Sequence, residues 1–207
     1  MMRAAVAVAV VAVAACAGAT RPAAAPTAGA TAPTPTTATA AATPSPSCAA
    51  PEFRQLDFWL GDWDVTVHAR SSATSTQWGD ARGHQHVEAI LGGCAIAEHF
   101  TAEGPPTRWA GASYSMWQPQ LAKWRQTWVD DSAGFLVFAG GLETGSFVLY
   151  GEPKDVGGTK TQMRMVFSAI TPTSLHWEWQ QSSDGWATSA PLIQIEYRRS
   201  AAVASRP

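Results

Sequence analysis

The chain has 207 residues, of which 46% are hydrophobic, 10% aromatic and 14% charged, with ten tryptophans, three cysteines and no asparagine. Aromatic content at this level supplies apolar area that a disordered coil lacks. A formal charge of −2, from 14 Lys+Arg against 16 Asp+Glu, excludes the basic excess expected of a nucleic-acid binder, so no nucleic-acid partner is expected.

Every tryptophan lies at or after Trp59, and the preceding quarter of the chain is a different material. Residues 1–15 read as a secretory signal: Met1-Met2-Arg3 is a short basic start, and Ala4–Ala15 is an apolar run too short to span a bilayer. The run ends Val13-Ala14-Ala15-Cys16, which resembles the lipobox of bacterial lipoproteins and predicts lipidation of Cys16 as the mature N-terminus. The rival is ordinary cleavage after Ala17-Gly18-Ala19. Ala17, rather than Asp, after the acylated cysteine resembles an outer-membrane sorting signal. The protein is therefore expected to be exported and held through a lipid anchor on a membrane, at the periplasmic or outer-membrane face.

Residues 16–47 form an expected tether. From Ala17 to Ser47 there are 31 residues, with 12 Ala, 8 Thr and 6 Pro and a single charge at Arg21. Such a stretch buries too little apolar surface to offset its ordering entropy; fully extended at about 3.1 Å per residue it reaches on the order of 100 Å. Residues 48–207 are the folded domain. Cys48 at its edge and Cys94 are expected to form a disulfide closing a loop of about 47 residues, worth roughly 4 kcal/mol in the chain-entropy model. Two separate thiols are the alternative.

The stretch Pro51–Leu60 reads as a short helix, with Phe53, Leu56 and Leu60 on one side and Gly61 as its stop. Period-two alternation then predicts ten strands: Asp62–Ala69, Gln77–Leu91, Cys94–Ala102, Arg108–Gln118, Lys123–Asp131, Phe135–Ala139, Ser146–Gly151, Thr161–Ala169, Ser174–Gln181 and Ala190–Arg198. Hairpin-length connections make sequence neighbours antiparallel partners, and closure removes the two free edges of such a meander. The fold class expected is all-β, an antiparallel up-and-down β-barrel.

Each strand carries an aromatic face and a mixed face. Trp124, Gln126, Trp128 and Asp130 oppose Arg125, Thr127 and Val129; Met163, Met165 and Phe167 oppose Arg164; Trp177 and Trp179 oppose His176, Glu178 and Gln180. In a sandwich the mixed face meets solvent, whereas in a small barrel it can line a cavity. Inside a cavity Arg125 and Arg164 require Glu178 or an acidic ligand as partner, which makes Arg125, Gln126, Trp128, Arg164 and Glu178 the candidate ligand site. On the outside they are ordinary ion-pair partners.

Other chemistry is sparse. His84-Gln85-His86 puts two imidazoles about 7 Å apart on one strand face, with His99, Glu88 or Glu98 as conceivable partners, a weak pattern for a metal. His176, between Leu175 and Trp177, and His99, beside Phe100, are the strand histidines with apolar neighbours, and nothing in the sequence distinguishes them further. Gly111-Ala112-Ser113-Tyr114-Ser115 lacks the last glycine of a nucleophile elbow, and Asp130 with Glu178 is an acid pair without geometry. No metal, cofactor or catalytic residue is assigned.

The run Phe58-Trp59-Leu60-Gly61-Asp62-Trp63-Asp64-Val65 contains the G-x-W with which lipocalins and their calycin relatives enter the first barrel strand. The longer F-W-L-G-x-W signature resembles a bacterial family of lipocalin-like (calycin-like) domains with no assigned reaction. Gly93-Cys94, Trp124-Arg125-Gln126 with Trp128-Val129-Asp130, and Ser183-Asp184-Gly185 before a strand ending Tyr197-Arg198-Arg199 extend the likeness over Phe53 to Arg199. The chain departs from it at Asp184-Gly185-Trp186-Ala187-Thr188, where the family has a double glycine and Thr-Trp, so the last hairpin is expected to differ in shape. The resemblance implies a barrel with a pocket for an apolar or aromatic molecule, and a first-strand Trp63 at the barrel floor stacked under Arg198 or Arg199. The function expected is binding or carriage of a small hydrophobic or amphipathic molecule. The alternatives are a ligand-free structural or protein-interaction module and, behind it, an enzyme or haem-binding barrel.

Overall fold

The computed structural model describes residues 48–104 and 107–201; the signal, Cys16 and the tether lie outside the described residues, as does Pro105-Pro106 at one expected turn. The strands are β1 (Gly61–Ala69), β2 (Gly79–Ile90), β3 (Ala95–Gly104), β4 (Thr107–Gln118), β5 (Lys123–Asp130), β6 (Phe135–Glu143), β7 (Ser146–Gly151), β8 (Lys154–Val156), β9 (Thr159–Ser168), β10 (Ser174–Ser182) and β11 (Ala190–Arg199). All ten expected strands are present; β6 runs further than expected, to Glu143. The additional strand, β8, forms between the expected strands Ser146–Gly151 and Thr161–Ala169: Gly157 and Gly158 at φ 61° and 82° make the two-residue reversal that lets Lys154–Val156 pair with the start of β9.

Sequence neighbours pair antiparallel around the ring, β7 pairs with β9, and β11 returns to β1, so ten strands close into a barrel with β8 as an appendage. Closure decides the sense of the faces. Trp63, Val65 and Val67 of β1, Phe147 and Leu149 of β7 and Ile195 and Tyr197 of β11 are buried inside. The aromatic parities therefore fill the barrel and the mixed parities meet solvent.

The expected helix is instead two 3-10 turns, Pro51–Arg54 and Asp57–Trp59. Phe53, Leu56 and Trp59 are the residues it buries. Their spacing of three matches the 3-10 period and replaces the expected Phe53, Leu56, Leu60 stripe. The segment plugs one end of the barrel. Cys48 and Cys94 form a disulfide with Cα atoms 4.9 Å apart, tying it to the β2–β3 connection. Arg54 donates to the Gly93 carbonyl, Trp63 Nε1 donates to Trp59 O at 2.7 Å, and Trp124 Nε1 to Gln55 Oε1 at 3.1 Å.

Arg199 completes the plugged end. Its guanidinium lies 3.8 Å from the centre of the Trp63 ring and donates to the carbonyls of Leu60 and Phe58. Gly61 at φ 111° passes beneath it, where a Cβ would collide with Nη1. Arg198, one residue earlier and of opposite parity, is exposed.

Candidate functional site

Above the plug the barrel interior holds a half-open cavity of about 180 Å³. Trp59, Trp109, Trp128, Trp177 and Trp179 line it together with phenylalanine and aliphatic side chains from β3, β6, β9 and β11. Trp177 and Trp179 lie with ring planes 17° apart and centroids 6.4 Å apart; Phe138 meets Trp179 edge-on at 5.3 Å. On the opposite wall Trp109 and Trp128 approach to 5.8 Å. Trp128 lies flat over Gly111, where a Cβ would fall 2.1 Å from the indole, so a side chain at 111 would drive Trp128 into the cavity.

Two acids are the only charged residues in this lining. Glu98 on β3 is 6% exposed and accepts a hydrogen bond from Ser113 Oγ. Gln126 on β5 supports that contact, donating to Ser113 Oγ at 3.2 Å and Ser115 Oγ at 2.9 Å. Burial pushes the Glu98 carboxyl up to about 7, against the opposing pull of the Ser113 hydrogen bond. The Tyr197 hydroxyl donates to Gln85 Oε1 at 2.8 Å, and burial followed by the Glu98 charge pushes its pKa well above the ordinary phenol value. The Trp59 indole N–H lies near that hydroxyl without completing a hydrogen bond of normal geometry, and Gln85 Nε2 is likewise unpaired.

Asp130 sits at the far end of β5. Burial pushes its pKa up, but hydrogen bonds from Trp128 Nε1 and the backbone N–H groups of Gly134 and Ser132 outweigh that and hold it below the ordinary carboxylate value. One acid is thus kept ionised near the open end while the other, deeper, is poised near neutrality.

The barrel wall thins at one place. Phe135–Val137 of β6 pair only with β5, because β7 meets β6 from Phe138 onward and the first residues of β9 pair with β8. Leu136, Phe138 and Trp179 line both the cavity and an outer groove beside β8, flanked by Phe135, which is 69% exposed, and by Val156.

The expected ligand residues divide. Gln126 and Trp128 line the cavity. Arg125 is exposed on the outer face, and Arg164 and Glu178 belong to an outer network: Arg164 Nε donates to Gln180 Oε1 at 2.7 Å, and Gln180 and Gln194 donate to Glu178. Arg164 also lies under Trp186, 4.2 Å from its ring, in the last hairpin, where Trp186 adopts φ 72° and donates to Gln162 Oε1. His176 packs against Glu196 and Glu178 in the same network. The two arginines expected to clamp an acidic ligand therefore stand outside the cavity, because they share a strand parity opposite to the tryptophans. Trp63 is fully buried and lies outside the cavity lining, to which Trp59 belongs. His84 and His86 pair on the outer surface with Asp64 and Asp62 of β1, and no group of three His, Cys, Asp or Glu able to hold a metal occurs among the described residues. No helix among the described residues is long and apolar enough to cross a membrane.

Residues 49–199 match the family described as "Protein of unknown function (DUF1579)", and the chain belongs to that family. No curated protein sequence matches the chain. Its structure is similar to the crystal structure of Rv2717c from M. tuberculosis, with a TM-score of 0.52 and 10% identity over 73% of this chain and 99% of that one. The S-type phycobiliprotein lyase CPES from Guillardia theta matches with a TM-score of 0.46 and 8% identity over 70% of this chain and 90% of its own. A de novo designed fluorescence-activating β-barrel matches with a TM-score of 0.39 and 10% identity over 70% of this chain and 95% of the design. At 10% identity the likeness to Rv2717c extends to the fold alone.

Proposed function

We propose that this member of the DUF1579 family binds or carries a small, largely apolar molecule inside its barrel. The observation that carries the reading is the half-open aromatic cavity of about 180 Å³. Protein interiors are close-packed, so an aromatic-lined space of this size departs from the packing of the rest of the barrel. A ligand-free scaffold has no use for such a void, whereas a binding barrel requires it. Size limits the occupant: an engineered apolar cavity of about 150 Å³ holds benzene, so one substituted ring fits here and a whole lipid does not.

Toluene titrated into the protein by calorimetry is expected to bind saturably, and Leu136→Trp, which adds bulk inside the cavity, to abolish that binding with unchanged circular dichroism. Equal toluene binding by the variant would move the site elsewhere.

The proposal extends to location: the barrel is exported and lipid-anchored at the cell envelope through Cys16. Support comes from the basic start, the apolar run and the Val13-Ala14-Ala15-Cys16 sequence, followed by the Ala/Thr/Pro-rich tether. Cys16→Ser is expected to shift the protein from the membrane pellet to the soluble fraction of the producing cell. Retention of the variant in the pellet rules out this anchor.

A further inference from the structure

We infer that the cavity selects a small organic cation, an arylalkylammonium of about one ring, whose charge sits against the Glu98 carboxylate while its ring lies among the tryptophans. The inference rests on the binding reading above and adds the chemical class of the ligand.

Four observations converge on a cation. The cavity lining holds two acids, Glu98 and Asp130, and no Lys, Arg or His, so any charge it carries is negative. Arg108, Arg125 and Arg164, each next in sequence to a lining residue, point away from it. Glu98 is buried, lines the cavity and takes a single hydrogen bond among the described residues, from Ser113 Oγ, so its carboxyl keeps acceptor capacity for a donor in the cavity. The walls are tryptophan rings, whose faces attract an ammonium most strongly when water is excluded.

The groups facing Glu98 are all uncharged at neutral pH: Ser113 on β4, Tyr197 on β11 and, through Ser113, Gln126 on β5. Nothing in the cavity therefore competes for the charge. In the empty barrel the acid is poised between its neutral and ionised forms near pH 7. An arriving ammonium favours the ionised form, giving a bound ion pair with no net proton lost above that pH. An anion meets two acids and no partner.

The test uses benzylamine, benzyl alcohol and benzoate, three probes of nearly equal size, titrated calorimetrically into the full-length mature protein. At pH 8 benzylammonium is expected to bind at least about tenfold tighter than benzyl alcohol, with benzoate weakest. Between pH 8 and pH 6 its affinity falls about tenfold as Glu98 takes up a proton, while that of benzyl alcohol is unchanged. Glu98→Gln reduces the preference for the cation to what the ionised Asp130 supplies, removes its pH dependence between pH 6 and pH 8 and keeps benzyl alcohol binding. Equal affinities for benzylamine and benzyl alcohol, or a preference for benzoate, overturn the cation inference and leave the binding reading standing. Binding of none of the three overturns both.

Discussion

Replacing Cys48 and Cys94 together by serine is expected to lower the unfolding free energy by about 4 kcal/mol. The bridge spans 46 residues, and in the chain-entropy account most of its effect lies in restricting the unfolded chain. Its place in the fold adds a local consequence. The plug has little hydrogen-bonded structure of its own, two 3-10 turns, and its hold on the barrel comes from burying Phe53, Leu56 and Trp59. The Arg54, Gln55 and Arg199 contacts remain when the bridge is cut, so the barrel still folds with its plug seated, but at a reduced urea midpoint. Urea titrations of the parent and the double variant, at equal m values, measure the difference directly. A loss below about 1 kcal/mol would mean that the non-covalent contacts alone order the first turns and that the unfolded chain gains little freedom without the bridge.

Much of this architecture is legible in the sequence because period-two alternation is local. Trp124, Gln126 and Trp128 announce a two-faced strand whatever surrounds them, and the Gly- and Asp-rich turns mark where it ends. Which face is inside is not local: it depends on the ring closing through β1 with β11 and β9 with β10, the first of these a contact between residues over a hundred positions apart. That is why the sequence assigns Arg125 and Arg164 to the face opposite the tryptophans without fixing whether that face meets a ligand or water. The same dependence separates Arg199 from Arg198, since only the register Trp63 opposite Arg199 decides which guanidinium reaches the indole. Glu98 carries a readable signal beyond that of a metal partner for the histidines. It shares its parity with Ile96, Phe100 and Ala102, and a lone acid on an otherwise apolar parity of a strand marks a buried carboxyl. The plug reads as a helix for a different reason, since over so few residues a period of three and one of 3.6 place nearly the same side chains inward.

Glu98→Gln is expected to change the pH dependence of stability by about 3 kcal/mol between pH 4 and pH 8. The carboxyl titrates near 4.5 in the unfolded chain and at about 7 when folded. Below 4.5 both states are protonated and Glu98 contributes nothing to the pH dependence. Between 4.5 and 7 the unfolded chain has released its proton and the folded barrel retains it, so folding takes up a proton and stability falls as pH rises. Above 7 the folded acid is ionised too and the full penalty of burying its charge remains. Glutamine keeps the volume and an acceptor for Ser113 Oγ while removing that titration. Its amide leaves an unpaired N–H of its own, a cost of about 1–3 kcal/mol at every pH, so the informative quantity is the pH 8 minus pH 4 difference between the two proteins. Asp130, Glu178 and His176 also titrate with shifted pKa values, but they lie in both proteins and subtract out. Urea midpoints across this range are expected to show the parent losing stability relative to Glu98→Gln with rising pH, the gap opening from about 4.5 and levelling above 7. Parallel profiles would show that Glu98 is ionised in the folded barrel from acid pH onward, hydrated rather than buried. A hydrated carboxylate has no unmet need for a counter-ion, so the same two curves that measure its burial also measure how strongly the cavity calls for an ammonium.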